Sequence, residues 1–247
     1  MGEAYIIDAV RTPVGRRGGG LAAEHPADLG AHAIKGLIER TGIDPMGVDD
    51  VVMGCLDNLG PQAGDIARTA WLAAGMPEAI PGVTIDRQCG SGQQAVSFGA
   101  MGVMAGVQDM VVAGGMQNMS MIPIGAAMGV MDHEAIGHPE IEDPYSTSKG
   151  WTARYGTQEI SQFRGAELIC QKWGFSREDL EVFALESHER AATAQDEGRF
   201  DNEILAYGDI AQDEGVRRGT TLEKMAGLAT LEPGGVITAA VASQISD

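Results

Sequence analysis

The chain has 247 residues, 44% hydrophobic and 21% charged, enough for one large globular domain or two modest ones. A formal net charge of −18 excludes a basic face for nucleic acid. Three scattered cysteines (Cys55, Cys89, Cys170) exclude a disulfide framework or a zinc site, and a reducing, cytoplasmic setting with no metal is expected.

Met1-Gly2-Glu3-Ala4 leads into an apolar run with no basic leader. No window is long enough to span a bilayer. Tyr5-Ile6-Ile7-Asp8-Ala9-Val10 predicts a buried strand, ended by Thr12-Pro13. A Gly/Arg loop follows, then Leu29, Ala33, Leu37 and Ile38 recur at helical spacing until Gly42. Val51-Val52-Met53-Gly54-Cys55 predicts a second strand, with Cys55 in the core. A short helix is expected from Asp65 as cap to Ala74, closed by Gly75 and Pro77. Val83-Thr84-Ile85-Asp86 is the third strand, and a helix pattern starts at Ala95. Met110-Val111-Val112-Ala113-Gly114-Gly115 is the fourth strand. This alternation predicts a mainly parallel α/β sheet with helices on both faces.

The texture changes after Gly115. Residues 116–150 are rich in Met, Gly and Pro with little periodicity, and such long excursions are usually functional. Two helices follow, over 158–173 and from the capping box Ser176-Arg177-Glu178-Asp179 to Gly198. Residues 201–221 read as loop, and Val236-Ile237-Thr238-Ala239 as a short strand. His133 and His138 lack the spacing of a helical zinc pair, and Met116, Met119, Met121, Met128 and Met131 read as adaptable filling. His188 is expected on a solvated helix face.

Cys89 stands in Arg87-Gln88-Cys89-Gly90-Ser91-Gly92-Gln93-Gln94-Ala95, where a strand hands over to a helix. Unpaired N–H groups and the positive end of the helix dipole gather there and favour a thiolate. The glycines flanking Ser91 admit other groups to the sulfur. The run lacks the three-glycine dinucleotide fingerprint, and Arg87 replaces the glycine of a hydrolase elbow.

The Cys89 run resembles the nucleophile motif of thiolases. So does the opening Ile7-Asp8-Ala9-Val10-Arg11-Thr12-Pro13-Val14-Gly15 resemble that family's first strand and loop. Ala113-Gly114-Gly115-Met116-Gln117-Asn118-Met119-Ser120, Arg218-Gly219-Thr220-Thr221-Leu222, and the stretch from Ile237 to Asp247 match later family segments in order. The resemblance implies a thiolase amino-terminal half, with 1–116 and 236–247 forming the α/β domain, its last strand missing, and 117–235 an inserted loop domain.

It also implies acyl transfer between a 3-ketoacyl-CoA and CoA through an acyl-Cys89 intermediate, or the reverse Claisen condensation. CoA is the co-substrate, with no permanently bound cofactor. Arg217, with Arg218 beside it, Leu228, Ala239 and Ser243 match CoA contacts. The family carries a His, a second Cys and an Asn in a carboxy-terminal half, so turnover is expected to need that half, as further chain or as a complementary chain. A homo-oligomer, dimer or tetramer, is the family expectation. Gln162-Phe163 stands where many members have His-Met-Gly, and Val241 where an Asn is common. Gln93-Gln94 resembles the lipid- and steroid-degrading actinobacterial branch. The competing readings are a non-catalytic acyl-CoA-binding or interaction subunit and a ketoacyl synthase.

Overall fold

Three parallel strands organise the first part of the chain. β1 (Asp50–Gly54) lies between β2 (Gly82–Ile85) and β3 (Val111–Gly115), with Val52 opposite Val83 and Ala113. The computed structural model describes residues 2–128, 143–158 and 160–247. Parallel neighbours need crossovers, and helices supply them. α1 (Pro26–Thr41) precedes β1, α2 (Ile66–Ala73) joins β1 to β2, and α3 (Ser91–Met104) joins β2 to β3.

Side chains along β1 alternate between its faces. Val51 and Met53 join Ala27, Ile34 and Ile38 of α1 and Ile66, Ala67, Ala70 and Trp71 of α2 in one apolar cluster. Trp71 is fully buried, and its indole N–H donates to the Pro77 carbonyl at 2.8 Å. Truncating such a residue to alanine costs about 3–5 kcal/mol. The other face of β1 receives α3. There Gly54 is required: a Cβ would stand 2.3 Å from the Ser91 carbonyl carbon and 2.4 Å from the Gly92 nitrogen.

Local chemistry sets the helix ends. Gly42 takes φ 67° and its N–H donates to Ile38 at 2.9 Å, closing α1 as its sequence predicts. Asp65 does not cap α2 with its side chain. It sits at φ 63°, and its carboxylate instead accepts the Thr84 hydroxyl at 2.7 Å. Thr84 Oγ1 in turn accepts the Ala67 N–H at 3.0 Å, so the cap comes from β2.

Residues 5–10 enter no ladder among the described residues, contrary to the strand expected there. Tyr5, Ile6 and Ile7 are 77%, 79% and 69% exposed. An extended run becomes a strand only when its backbone groups pair. Here the flanking donors go elsewhere, Gly2 N–H to Met104 and Arg11 N–H to Glu203.

The remaining helices are α4 (Lys149–Tyr155), α5 (Gln162–Trp173), α6 (Arg177–Asp196) and α7 (Leu222–Ala226). α6 opens on the predicted capping box: Ser176 Oγ accepts the Asp179 N–H at 3.1 Å, and Asp179 accepts the Ser176 N–H at 2.8 Å. α4 and α7 are too short to carry a periodic signal. The strand expected over 236–239 reduces to one antiparallel bridge, Thr230 to Thr238, because the chain turns at once: Thr238 O accepts from Val241 and Ala242.

The chain forms two compact units, Met1–Ile141 with Asn202–Glu214 and Ile245–Asp247, and Glu142–Asp201 with Gly215–Gln244. This division differs from boundaries at 116/117 and 235/236. Specific bonds draw the extra segments into the first unit. Buried Asn118 donates to the Leu21 and Glu24 carbonyls at 3.0 and 2.8 Å. Arg11 forks onto Asp213 at 2.6 and 2.9 Å and reaches Glu203 at 2.7 Å. Among the described residues, no helix is long and apolar enough to cross a membrane.

Candidate active site

The turn after β2 is built by its own polar side chains. Asp86 Oδ1 accepts the Gln88 N–H at 2.8 Å. Ser91 Oγ accepts the Arg87 N–H at 2.8 Å and donates to the Gln88 carbonyl at 2.6 Å. Gly90 and Ser91 N–H groups close back on Arg87 and Gln88 at 3.1 and 3.0 Å. Together these bonds hold Gln88 at φ 49°, a left-handed conformation costing about 1 kcal/mol or more in a residue with a side chain.

Cys89 rides on this turn, one residue before the Gly90 N-cap of α3, and is exposed. The N–H groups of Gly92 and Gln93, in the first turn of α3, donate to no acceptor among the described residues. The glycine contact at Gly54 lets that helix end settle on β1, and Gly115 lies close by, its added Cβ 3.3 Å from the Gly92 Cα. Attack on a carbonyl carbon needs an accessible sulfur and unpaired donors for the resulting charge, and this turn and helix start carry both.

The other cysteines are unlike it. Cys55 is 2% exposed, and its thiol donates to the Leu56 carbonyl and to Gln117 at 3.4 and 3.5 Å. Burial first, then Asp86 and Asp57, push it up to about 12. Cys170 is buried on α5, and burial together with Glu167 raises it too.

Arg217, Leu228, Ala239 and Ser243 are all exposed and all lie in the second unit, whereas Cys89 lies in the first. Each belongs to a loop tied down by a buried or helix-borne side chain. The Arg217 N–H donates to His188 Nδ1 at 3.2 Å. His188 is therefore half-buried, not on a solvated face, and burial with Arg217 lowers its affinity for a proton. Arg218 is spent structurally: its guanidinium forks onto Asp196 at 2.8 and 3.0 Å and meets Gln195 at 3.2 Å. The Arg217 guanidinium, by contrast, makes no hydrogen bond or ion pair among the described residues. Arg177 Nη2 donates to the Met225, Ala226 and Leu228 carbonyls at 2.9, 3.0 and 2.8 Å, closing the end of α7 and fixing Leu228.

The profile of the thiolase amino-terminal domain matches residues 4–247. The chain belongs to the thiolase family. It is 59% identical to a steroid 3-ketoacyl-CoA thiolase of Mycobacterium tuberculosis, over the whole chain and 60% of that protein. It is 36% identical to a 3-oxoadipyl-CoA/3-oxo-5,6-dehydrosuberyl-CoA thiolase of Escherichia coli, over the whole chain and 64% of that protein. The crystal structure of an acetyl-CoA acetyltransferase of Bacillus anthracis superposes with a TM-score of 0.77 at 30% identity, over 99% of this chain and 63% of that one. The chain thus spans about three fifths of the length of these thiolases.

As a thiolase amino-terminal part, the molecule has the α/β architecture that its sequence predicts. Within the two units, supports of the Cys89 turn and of the loops bearing Arg217, Leu228, Ala239 and Ser243 escape sequence reasoning, Arg177 among them. Ser91 is hidden among glycines. His188 looks like any surface residue of a charged helix. Glu167 leaves one trace, a carboxylate on the same stripe of α5 as Phe163 and Cys170. No group of three or more His, Cys, Asp or Glu among the described residues is arranged to hold a metal ion. His133, His138 and Met131 lie outside the described residues.

Proposed function

We propose that this chain carries the acyl-accepting step of a thiolase reaction, between a 3-ketoacyl-CoA and CoA. The observation that supports it most is an exposed cysteine on a side-chain-braced turn, next to unpaired helix N–H groups, within the thiolase match. The Cys89 thiolate adds to the 3-keto carbon and forms a C–S bond. The bond between the 2- and 3-carbons then breaks, its electron pair passing to the 2-carbon of acetyl-CoA, which takes a proton. A second CoA thiolate attacks the acyl thioester, and the Cys89 thiolate leaves. N–H donors at the turn, the Cys89 amide among them, stabilise the oxyanion. Each such donor lowers the barrier by about 3 kcal/mol.

Arg217 serves the phosphorylated nucleotide of CoA, Leu228 its apolar stretch, and Ala239 and Ser243 the pantetheine arm. CoA acts as co-substrate in a cytoplasmic homo-oligomer. The acid/base His, second Cys and Asn of the family complete turnover, from a carboxy-terminal half or a complementary chain. The identity to the Mycobacterium steroid thiolase favours a bulky, lipid-derived acyl group.

Acylation tests this without needing the second half. Incubation with a 3-ketoacyl-CoA or a short acyl-CoA is expected to add the acyl mass to the Cys89 peptide, and nothing in Cys89→Ala. Iodoacetamide is expected to label Cys89 about tenfold or more faster than Cys55 or Cys170, with 3-ketoacyl-CoA protecting it. No acyl adduct, together with unprotected labelling, overturns the proposal.

A further inference from the structure

We propose that Glu167 is a positioning residue for the arm that carries Ala239 and Ser243, an inference that rests on the CoA contacts proposed above. Glu167 projects from α5 and is 8% exposed. Its Oε1 accepts two consecutive backbone N–H groups, Val236 and Ile237, each at 2.8 Å. A carboxylate receiving backbone donors makes charge-assisted bonds, stronger than those to a neutral oxygen. The chain is shaped to admit it: a Cβ on Gly235 would fall 2.2 Å from Oε1 and 2.7 Å from the carboxyl carbon. A buried carboxylate has little room to retreat from such a methyl group.

Beyond this tether the chain makes a tight turn. The Ile237 carbonyl accepts the Leu231 N–H at 2.8 Å, while the Thr238 carbonyl accepts Val241 and Ala242 at 3.1 and 3.2 Å. Ile237 and Thr238 are buried at 5% and 1%, yet Ala239 and Ser243 emerge exposed. Glu167 therefore grips the root of a turn whose tip presents both contacts. Local bonds hold the carbonyl side of this root, Ile237 to Leu231 and the Thr230–Thr238 bridge, whereas the Val236 and Ile237 N–H groups are met by Glu167. The N–H side of the root is thus held by one side chain about 70 positions earlier in the chain.

Calorimetric binding of CoA and of pantetheine, which lacks the nucleotide, to the whole chain tests this. Glu167→Leu leaves two N–H groups unmet and is expected to raise the dissociation constants of both ligands about tenfold. Glu167→Gln keeps an oxygen acceptor and is expected to stay within about threefold of the parent. Gly235→Ala, which strains the same contact from the opposite side, is expected to weaken both ligands as well. Arg217→Ala is expected to weaken CoA and spare pantetheine, a split that general loss of fold would not give. If Glu167→Leu is poorly folded, Gly235→Ala and the hydrogen-exchange protection of the Val236 and Ile237 amides decide. Unchanged affinities in both Glu167→Leu and Gly235→Ala, or rapid exchange of those amides, overturn the inference alone. A parent chain that binds neither ligand overturns it together with the CoA contacts on which it rests.

Discussion

Ser91 shows how one hydroxyl shapes the turn that carries Cys89. It accepts from Arg87 and donates to Gln88, so its loss leaves the Arg87 N–H unmet and removes one of the two donors to the carbonyl of left-handed Gln88. Ser91→Ala is expected to cost about 1–2 kcal/mol in urea denaturation and to slow acylation of Cys89 by misplacing its sulfur. Cys55 and Tyr207 govern behaviour in alkali. Burial and the Glu24 carboxylate push Tyr207 up to about 12, as burial and nearby aspartates push Cys55. The unfolded chain releases these protons near their ordinary values of 10.0 and 9.0, whereas the folded chain holds them to about 12. The unfolded state then binds fewer protons, so stability falls as pH rises across that window. Denaturation midpoints are expected to drop steadily from about pH 9 to 12, with shallower slopes in Cys55→Ala and Tyr207→Phe.

At the scale of elements, the seat of α3 depends on a missing side chain. Gly54→Ala would drive a methyl group into the Ser91 and Gly92 backbone, which cannot swing aside as a side chain can. A loss of about 3 kcal/mol is expected, with reduced Cys89 reactivity at temperatures where the chain stays folded. Ser176→Ala, which removes half of the α6 capping box, is expected to cost about 1 kcal/mol by thermal melting and to leave Cys89 alkylation unchanged. These contrasts mirror what is legible in the sequence. α1 and α6 announce themselves through Gly42 and Ser176, because caps are local chemistry. Residues 5–10 and 236–239 have strand composition but no strand, because pairing depends on remote backbone that composition does not encode. The place of Cys89 between β2 and α3 is legible from its neighbours in sequence. Its brace at Ser91, and the tethers from Glu167, Arg177 and His188, join residues far apart or hidden among glycines, so no local pattern carries them.

For the whole molecule, the alternation of strands and helices determines the architecture, but the division into units follows individual bonds. The Asn118 bonds and the Arg11–Asp213 fork lie within the first unit and cross the 116/117 boundary that the resemblance implies. The charge of −18 adds a non-specific repulsion between copies of the chain that is strongest at low ionic strength. The bare apolar run at Tyr5, Ile6 and Ile7 works against that repulsion. Once salt screens the charge, such a run offers itself as a template for the same run on another copy. Turbidity on warming is therefore expected to rise with salt and concentration, and Ile6→Lys, a change at a site 79% exposed, is expected to suppress it while leaving the melting temperature within about 2 °C. Among the exposed apolar side chains of the described residues, this run is three in a row, and a single lysine within it is expected to be enough to change how copies of the chain associate.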